Sequence, residues 1–555
     1  MKRKLFSLLI LTISSLNADK YYVRHIDGKE IVVINERHEI ISRSLNDFIK
    51  NLEEGDALLF KRGEYFKIPI KISEKKGITV KDYGSEKLRL PVIDPRAKIP
   101  LKNFEEIDLL ALKNSQEESV KTLETILNRN RLLLASGIRK KTAESFEAVK
   151  KSIYKTLRLK IEKKIEKNTI RVWIDNKEIL KANLIEELKC DECKEKIRWS
   201  FDHENGYLYI FILDPSISFK EESFVKINPF SLDTLSIEDC ENVTVKNLDI
   251  RGSKYAIGIR GSSNVLIEKC VIGKYSFSGI DIMRSLSNEN RESENIIVRD
   301  SLIDSGFKKR YRYLSQRGVQ DGVFIVNGAK NCLISNNKIL NWGHSGVNLY
   351  APSSAKEVKG NIVSFNLIEG KDISYMHGIT VDGKNCSENE ISSNVIKNIS
   401  ARNQLNGIRN IFKDNVIYGV KNSPVKLDQG YSCGQGIQLQ AYGKENIAFE
   451  NRIEKNIFRK IEAAAISVIG YENDGLKKNN LFKNNFIAES GTKNKNIAVE
   501  ILNFSKKDSV KNNAFVLNKF KASSQEPKIN YFNDIISVEE FNEKSELIKE
   551  NKILY

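Results

Sequence analysis

The sequence is poor in long apolar runs and in cysteine, and each shortage limits the class of protein. After residue 18 no segment approaches about 18 consecutive apolar residues, which argues against a membrane span. The seven cysteines leave at least one unpaired in an exported protein. Cys190 and Cys193 are only half of a structural zinc site, so a local disulfide or two free thiols fits them better.

The sequence also lacks a dense acidic cluster and a basic motif interleaved with aromatic residues. No cofactor is therefore identified, and calcium, although possible, has no support from a ligand cluster. Nucleic acid is not expected as a partner. The net charge of +17 suggests an anionic partner such as a uronic-acid polysaccharide. A biased genome, rich in Lys, Asn and Ile codons, explains the same charge better than an anionic partner does, and the oligomeric state is left open.

The first 18 residues have the pattern of a secretory signal peptide. Lys2, Arg3 and Lys4 precede the apolar run Leu5–Ile13, and Ala18 supplies a small residue before Asp19. We therefore expect a secreted or periplasmic protein, cleaved near Ala18. Without the three basic residues the net charge is +14.

What the C-terminal half does contain is a repeat of Asn, any residue, then a large apolar residue. The repeats begin at Asn337, Asn366, Asn394, Asn415, Asn456, Asn485 and Asn513. Their intervals are 29, 28, 21, 41, 29 and 28 residues, which indicates stacked coils of about 28 residues. An Asn at the same bend of every coil can bond its side-chain amide to the Asn of the next coil.

A second repeat, in which apolar residues alternate with variable ones, predicts short strands. Its segments begin at Gly279, Gly322, Gly346, Gly378, Gly407, Gly436 and Ala465. With both repeats in phase, the chain resembles the right-handed parallel β-helix proteins of the pectate-lyase-like superfamily, over roughly residues 44–520. The resemblance implies an all-β solenoid, whereas function stays broad, because this fold hosts lyases, hydrolases, epimerases and inert adhesins.

The first half is organised differently from the repeats. Leu45, Phe48, Ile49 and Leu52 have helical spacing and predict a short amphipathic helix. The resemblance to the superfamily implies that this helix caps the N-terminal end of the stack. The expected divisions are a cap with first coils at 19–96, a helical-hairpin insertion at 97–168, a small antiparallel β module at 169–230, coils at 231–520, and a C-terminal tail or cap at 521–555.

The aligned coils place two columns of side chains on the outward face of one predicted sheet. The column before each Gly includes Asp321, His377 and Gln435, and His344 lies beside Ser345 in the same region. The column two residues after each Gly includes Asp281, Asn348, Arg409 and Gln438. We expect Asp321, His344, His377, Arg409 and Asp281 to be catalytic, and Asn348, Gln435 and Gln438 to bind substrate. A merely solvated polar face is the alternative.

Gln320-Asp321-Gly322, followed one coil later by Gly343-His344-Ser345-Gly346, resembles the Gln-Asp-Asp and Gly-His-Gly motifs of polygalacturonases. The resemblance implies an acid or base role for Asp321 and a supporting role for His344. Gly322 stands where the second Asp would be, and no Arg-Ile-Lys motif follows. Asp-Gly and Gly-His-x-Gly also arise for turn reasons alone.

Two mechanisms are chemically admissible on this face. A hydrolase needs two carboxylates, and Asp281 and Asp321 would lie with Cα atoms about 11 Å apart. A lyase needs a base, for which His377 is a candidate, and a cation, for which Arg409 is a candidate. Substitution of Asp321 or His377 is expected to remove activity with little loss of stability.

An insertion before Asp321 contains four further candidate substrate-binding residues: Arg310, Tyr311, Arg312 and Tyr313. The tyrosines would offer faces for sugar stacking and the arginines would meet acidic groups, although a solvated loop fits equally. The sequence therefore favours a polysaccharide-binding β-helix that cleaves its ligand, with a non-catalytic, adhesin-like solenoid as the rival.

Overall fold

The computed structural model describes most of the chain, with gaps. The described residues are 19–26, 30–107, 155–161, 171–175, 177–181, 196–202, 207–214, 216–228, 233–307, 320–370, 376–423, 433–440, 446–470, 475–492, 496–503, 510–521, 526–532, 534–544 and 548–554. The predicted signal peptide at 1–18 and the cysteines at 190 and 193 lie outside these ranges.

The chain is a right-handed parallel β-helix in which each coil adds one strand to each of several sheets. One full coil shows the order. Asp321–Val326 lies in the sheet called sheet 3 below, Ala329–Lys330 in sheet 4, Leu333–Ser335 in sheet 1 and Lys338–Leu340 in sheet 2. Ser345–Tyr350 then returns to sheet 3 and pairs in parallel with Asp321–Val326.

The strands of each sheet follow one another along the helix axis. Sheet 1 contains Ile40–Ser42, Glu30–Ile34, Lys20–Ile26, Ala57–Lys61, Thr79–Tyr83, Thr244–Lys246, Leu266–Glu268, Ile297–Arg299, Leu333–Ser335, Ile362–Ser364, Glu390–Ser392, Ile411–Lys413, Arg452–Glu454, Leu481–Lys483, Ala514–Val516 and Ile548–Lys549. Sheet 2 contains Tyr65–Phe66, Val92–Ile93, Asp249–Arg251, Val271–Gly273, Leu302–Asp304, Lys338–Leu340, Leu367–Glu369, Val395–Lys397, Val416–Val420, Ile457–Ile461, Phe486–Ser490, Lys519–Lys521 and Lys552–Leu554. Sheet 3 contains Ile70–Ser73, Asp233–Glu238, Tyr255–Arg260, Ser278–Met283, Asp321–Val326, Ser345–Tyr350, His377–Asp382, Asn403–Leu405, Ile437–Leu439, Ile466–Gly470, Ile497–Asn503, Lys528–Tyr531 and Asp534–Ile536. Sheet 4 contains Ser293–Glu294, Ala329–Lys330, Val358–Lys359, Cys386–Ser387, Gly407–Ile408, Ala448–Phe449, Lys477–Lys478 and Val510–Lys511.

The core is a stack of branched side chains inside the coils. Val323, Val347, Ile379 and Ile437 of sheet 3 are all fully or almost fully buried. Burying each such side chain stabilises the fold by about 1.5 to 3 kcal/mol. The predicted inward column of sheet 3 is therefore confirmed at these four positions.

The glycine that begins the repeated segments has a steric cause. A Cβ at Gly322 would lie 2.6 Å from Cγ2 of Ile339, and the same distance separates a Cβ at Gly346 from Cγ2 of Ile368. The facing isoleucines belong to sheet 2, whose side chains fill the interior at this corner. Glycine is favoured at these two corners because a Cβ there would overlap the facing isoleucines.

Two asparagine ladders run along the axis at the bends. The first joins Asn337, Asn366, Asn394, Asn415, Asn456, Asn485, Asn518 and Asn551, each Nδ2 donating to Oδ1 of the next. The second runs through Asn361, Asn389, Asn410, Asn451, Asn480 and Asn513. The predicted ladder is confirmed, with one correction: Asn513 belongs to the second ladder, and Asn518 takes its place in the first.

Short helices lie near both ends of the stack. Leu45–Lys50 is the N-terminal helix that the sequence predicts, and it buries Leu45 and Ile49. Its N-cap Ser44 accepts a hydrogen bond from the amide of Asp47. At the other end Val538–Asn542 buries Phe541, and Asn542 accepts from Asn551 at 2.8 Å, which ends the first ladder. Strands such as Lys528–Tyr531 lie beyond residue 520, so coil structure extends into the expected C-terminal tail.

The segment between the first coils and residue 233 forms a mostly antiparallel sheet with a core of its own. Its strands, in order across the sheet, are Glu105–Ile107, Lys155–Lys160, Tyr207–Ile212, Ile197–Asp202, Lys177–Lys181, Val172–Ile174, Phe224–Ile227 and Ala97–Pro100. A single turn of 3₁₀ helix covers Leu101–Asn103.

This sheet corrects part of the predicted helical insertion. Lys155–Lys160 is a strand paired with Tyr207–Ile212, although the sequence analysis assigned it to a helix. Leu157, Leu159 and Ile161 alternate with other residues at period two, which suits a strand with one face on a core. Residues 108–154, where the rest of the helical hairpin was expected, lie outside the described ranges.

One coil contradicts the alignment made from sequence. Gly407–Ile408 lies in sheet 4, and the sheet 3 strand of that coil is Asn403–Leu405, with Gln404 in register with Thr380. Gly407 has φ of +82°, so it makes a turn after the strand instead of the corner before it. Asn403 fills the inward position, where its Oδ1 accepts from the amide of Ile379 at 2.9 Å.

Among the described helices, none is long and apolar enough to cross a membrane.

Candidate active site

The candidate site lies on the outward face of sheet 3, where polar side chains line up along the axis. Consecutive strands in register form one row on this face: Ser236, Gly258, Asp281, Phe324, Asn348, Thr380, Gln404, Gln438, Ser467 and Glu500. The parallel pairing sets neighbouring members about 4.8 Å apart. The centre of this face holds His344 and His377.

Asp321 and His344 form a close pair at the start of adjacent strands. Oδ1 of Asp321 lies 2.9 Å from Nδ1 of His344 and also accepts from the amide of Ser345 at 2.9 Å. Oδ2 accepts from Nδ2 of Asn348 at 3.2 Å. Asp321 is only 2% exposed, whereas the His344 side chain is 28% exposed. The carboxylate is thus held from several sides, and the imidazole is the member of the pair that solvent reaches.

The pairing also bears on the tautomer of the His344 ring. When the carboxylate of Asp321 is ionised it can only accept hydrogen bonds, and Nδ1 of His344 then carries the proton of this contact. Nε2 is then the nitrogen left to accept a proton from another molecule. Oγ of Ser345 lies 3.3 Å from the same Nδ1 and adds a second polar neighbour.

His377 completes the group from the next coil. Its ring centroid lies 5.2 Å from that of His344, with the planes at 67°, and its amide donates to the His344 carbonyl at 2.6 Å. It is 3% exposed. The structure therefore brings together Asp321, His344 and His377, three of the five predicted catalytic residues.

Of the predicted substrate-binding residues with described positions, Asn348 and Gln438 lie in this row, and Gln435 precedes the strand that carries Gln438. Asn348 touches Asp321, as above, and is buried with Gln438 and Gln435. Thr380, between Asn348 and Gln404 in the row, shares a 2.8 Å hydrogen bond with Oγ of Ser345. The row thus contains amide and hydroxyl groups, which are the kinds of group that recognise sugar hydroxyls, although these members are nearly inaccessible here.

Asp281 is on the predicted face, but it belongs to a separate ion-pair cluster. Arg260 donates to both oxygens of Asp233, at 2.6 and 2.9 Å, and to Oδ2 of Asp281 at 3.3 Å. Gly258 makes room for this cluster, because a Cβ there would lie 2.3 Å from Nη1 of Arg260. Burial raises the pKa of Asp281 to about 7, against the opposing effect of Arg260.

This cluster corrects the predicted carboxylate pair. Arg260 holds Asp281 toward the preceding coils, whereas Asp321 is bonded to residues of the following coil. The two carboxylates are therefore directed apart, and both are almost completely buried. They do not form the two-carboxylate centre expected for an inverting hydrolase.

Arg409 is the second correction. It lies at a bend after the sheet 4 strand, with φ of +52°, and its side chain is 55% exposed and paired with Glu388 at 2.8 Å. The alignment error at Gly407 is the cause, because it shifted this coil by one strand. Gln404 holds the place that Arg409 was given.

Arg310, Tyr311, Arg312 and Tyr313 lie outside the described residues. Within the described part of the chain, no group of three or more His, Cys, Asp and Glu side chains is arranged to hold a metal ion.

Sequence reasoning missed two residues on this face, Gln404 and Asp382. Asp382 lies in register with Tyr350, and its Oδ1 accepts from Asn406 at 2.9 Å. Burial raises the pKa of Asp382, with smaller opposing effects from Asn406, His344 and Arg402. The alternation that identified Thr380 as outward would also have identified Asp382, two residues later in the same strand.

The fold and this site define a right-handed parallel β-helix protein, and comparison with known proteins agrees. Residues 233–423 match the family described as the right-handed beta helix region. No curated protein matches the chain at a significant level.

Solved structures give further likenesses at low identity. The complex of XylC with xylose is 13% identical, with a TM-score of 0.46, covering 92% of this chain and 79% of that one. An alginate lyase from Paenibacillus sp. str. FPU-7 is 11% identical, with a TM-score of 0.31, covering 80% and 92%. A family GH136 lacto-N-biosidase from Eubacterium ramulus is 9% identical, with a TM-score of 0.39, covering 90% and 67%. Likeness at this level carries no argument about reaction or substrate.

Proposed function

We propose that the protein cleaves an anionic polysaccharide by β-elimination, with His344 as the general base. The observation that carries the proposal is the partly exposed His344 ring, bonded through Nδ1 to the buried Asp321 carboxylate. A base of this kind needs an oriented ring with one nitrogen able to take a proton, and the pair supplies both.

In this mechanism the proton next to a uronic carboxylate moves to Nε2 of His344. The electron pair left behind forms the carbon–carbon double bond and expels the glycosidic oxygen, which takes a proton from solvent water to complete the cleavage. Asp321 is a positioning residue, because it is buried and reaches the substrate only through His344. His377 positions the ring from its other side by edge-to-face contact.

The developing negative charge requires a positive group nearby. Arg409 cannot provide it, because it lies at a bend outside sheet 3. Arg402 lies one coil beyond His377, where its carbonyl accepts from the amide of Gly378 at 3.2 Å, and its side chain is 1% exposed. We propose that Arg402 supplies positive charge through its electrostatic field, without direct contact with the substrate.

The test is a panel of polysaccharides assayed in two ways. Polygalacturonate, alginate and a neutral β-glucan are incubated with the protein, and the products are measured as reducing ends and as absorbance of the unsaturated sugar. The proposal expects both signals from an anionic polymer. Reducing ends without the unsaturated product would indicate hydrolysis. The absence of both signals would contradict enzymatic cleavage.

A binding protein without catalysis is the second candidate, and one observation favours it. His377, Thr380 and Gln438 are nearly inaccessible, so much of the polar row is covered instead of lining an open groove. In that case the same panel would show retention of a polymer with no product of either kind.

We also propose that the protein is exported, on the basis of the N-terminal basic and apolar segment. Mass measurement of the protein secreted or released from the periplasm should give an N-terminus near Asp19.

A further inference from the structure

Two lysines lie directly opposite each other on neighbouring strands of the antiparallel sheet. Lys98 of Ala97–Pro100 is in register with Lys226 of Phe224–Ile227. Both ammonium groups lie over the ring of Phe224, with Nζ of Lys98 4.0 Å and Nζ of Lys226 5.7 Å from its centroid. Like charges at directly opposed positions of an antiparallel pair are destabilising. A counter-ion between the two lysines would therefore stabilise this pair of strands.

The lysine pair lies at the junction between the antiparallel sheet and the first coils. Nζ of Lys226 is 5.9 Å from the ring centroid of Tyr65, which belongs to sheet 2. Trp173 lies opposite Lys226 on its other side, and Cζ of Arg96 is 4.8 Å from the Trp173 ring. The junction therefore brings a third cation close to the two lysines.

The arginines at this junction have carboxylates of their own. Arg96 donates to both oxygens of Asp94, at 2.8 and 2.7 Å, and Arg251 donates to both oxygens of Asp249. Among the described residues, neither lysine of the pair has a carboxylate within ion-pair distance. The described part of the chain thus leaves two positive charges at the junction without a neutralising carboxylate.

The electrostatic surroundings of Lys226 reflect this excess of positive charge. Burial lowers the pKa of Lys226. Asp94 opposes this shift, whereas three neighbouring cations add to it: Arg96, Lys98 and Arg251. An anion bound at the lysines would relieve the repulsion and accept hydrogen bonds from both ammonium groups.

We propose that Lys98 and Lys226 bind a doubly charged oxyanion, phosphate or sulfate, either as the free ion or as a monoester. Each ammonium group donates to a different oxygen of the anion, so that two positive charges meet two negative ones. Lys98 is exposed and Lys226 is half-buried, so the anion reaches them from solvent. This site lies against sheet 2, whereas His344 lies on sheet 3, and it does not depend on the proposed cleavage reaction.

The test measures anion binding by isothermal titration calorimetry at about pH 8, where phosphate and its monoesters carry nearly two negative charges. The probes are sodium phosphate, sodium sulfate and glucose 6-phosphate, and the comparisons are neutral glucose and singly charged galacturonate. Lys98→Met and Lys226→Met each remove one charge and keep a long side chain. Lys338→Met is the control, because Lys338 is an exposed lysine in a later coil of sheet 2.

The proposal expects Lys98→Met and Lys226→Met each to raise Kd for the doubly charged anion about tenfold or more, because each removes one charge-assisted hydrogen bond. Lys338→Met should bind the anion as the wild type does. Tighter binding of glucose 6-phosphate than of phosphate would identify an ester as the ligand, and the opposite order would identify the free ion.

Thermal unfolding gives a second measurement, because an anion that binds only the folded protein raises Tm. Sulfate also stabilises proteins in general by exclusion from their surface. The informative quantity is therefore the difference in Tm gain between the wild type and a variant at the same sulfate concentration. The wild type and Lys338→Met should gain more than Lys98→Met, whose exposed side chain can be changed without loss of the fold.

A wild type that binds none of the three doubly charged probes would overturn the proposal. Unchanged Kd and an unchanged Tm gain in Lys98→Met would also overturn it, and would mean that the aromatic rings alone hold the lysines in place. Tighter binding of galacturonate than of phosphate would overturn the assignment of a doubly charged ligand.

Discussion

At the scale of single residues, the site is built from buried polar groups, and their hydrogen bonds both stabilise the fold and orient the proposed catalytic residues. Asp321 accepts from Ser345, His344 and Asn348 while it is almost completely excluded from water. The sequence predicted a surface carboxylate that could be changed at little cost in stability. Burial reverses that expectation, because the loss of a buried acceptor leaves its donors unpaired.

Asp321→Asn should therefore lower the free energy of unfolding by about 1 to 3 kcal/mol, because the new amide group faces donors from His344 and Asn348. Urea unfolding followed by circular dichroism measures the change. The exposed Asp414 gives the matched control, Asp414→Asn, which should stay within about 0.5 kcal/mol of the wild type. If Asp321→Asn and the control are equally stable, the hydrogen bonds to Asp321 do not contribute to the stability of the fold.

Asp281→Asn should alter how stability depends on pH. Burial raises the pKa of Asp281 to about 7 in the folded protein, so between about pH 4 and 7 the unfolded chain has released a proton that the folded protein retains. This carboxyl therefore lowers the free energy of unfolding as pH rises through that window, by at most about 1.4 kcal/mol per pH unit. In Asp281→Asn this fall in stability with rising pH should be absent.

Urea midpoints collected from pH 4 to 8 provide the measurement. Glu289, whose side chain is 79% exposed, supplies the control Glu289→Gln, whose profile should parallel that of the wild type. If the dependence of the urea midpoint on pH is the same in Asp281→Asn and the wild type, the pKa of Asp281 is not raised in the folded protein.

At the scale of strands and bends, the repeats in the sequence carry most of the information. The Asn ladder, the inward valines and isoleucines and the N-terminal helix follow from periodicity and capping, because each coil repeats the same local constraint. Periodicity failed where a coil departs from the norm. In the short coil around Asn403, a polar residue replaces the inward apolar one and no corner glycine marks the strand, so Gly407 and Arg409 were misplaced.

The ladder gives a direct test at this scale. Asn394→Ala removes the bonds to Val363 and Asn415 and leaves their partners unpaired in the interior, which should lower the free energy of unfolding by about 1 to 3 kcal/mol. The exposed Asn290 supplies the control Asn290→Ala, which should be nearly neutral. The free energy of unfolding of both variants is measured by chemical denaturation. If Asn394→Ala is as stable as the wild type, the ladder does not stabilise the fold.

At the scale of the whole molecule, the stacked coils turn distant sequence positions into one surface. Asp321, His344 and His377 are 23 and 33 residues apart along the chain yet lie on consecutive strands of one sheet. Alignment of the coils predicted that meeting. It could not predict that Asp281 is drawn to Arg260, because that contact depends on side-chain directions and on the space above Gly258.

The central claim is that His344 is the base in a cleavage reaction on this surface. The most direct measurement is the rate of unsaturated product formation by His344→Ala, with and without added imidazole, on the polymer that the wild type cleaves. The control is His38→Ala, because His38 is exposed in the connection between the strands Glu30–Ile34 and Ile40–Ser42.

The account predicts that His344→Ala loses about 100-fold or more in rate and that imidazole restores part of it, since a free base can occupy the vacated position. His38→Ala should keep the wild-type rate and be indifferent to imidazole. A His344→Ala variant that is folded by circular dichroism and cleaves at the wild-type rate, or whose lost activity imidazole fails to restore, would contradict the assignment.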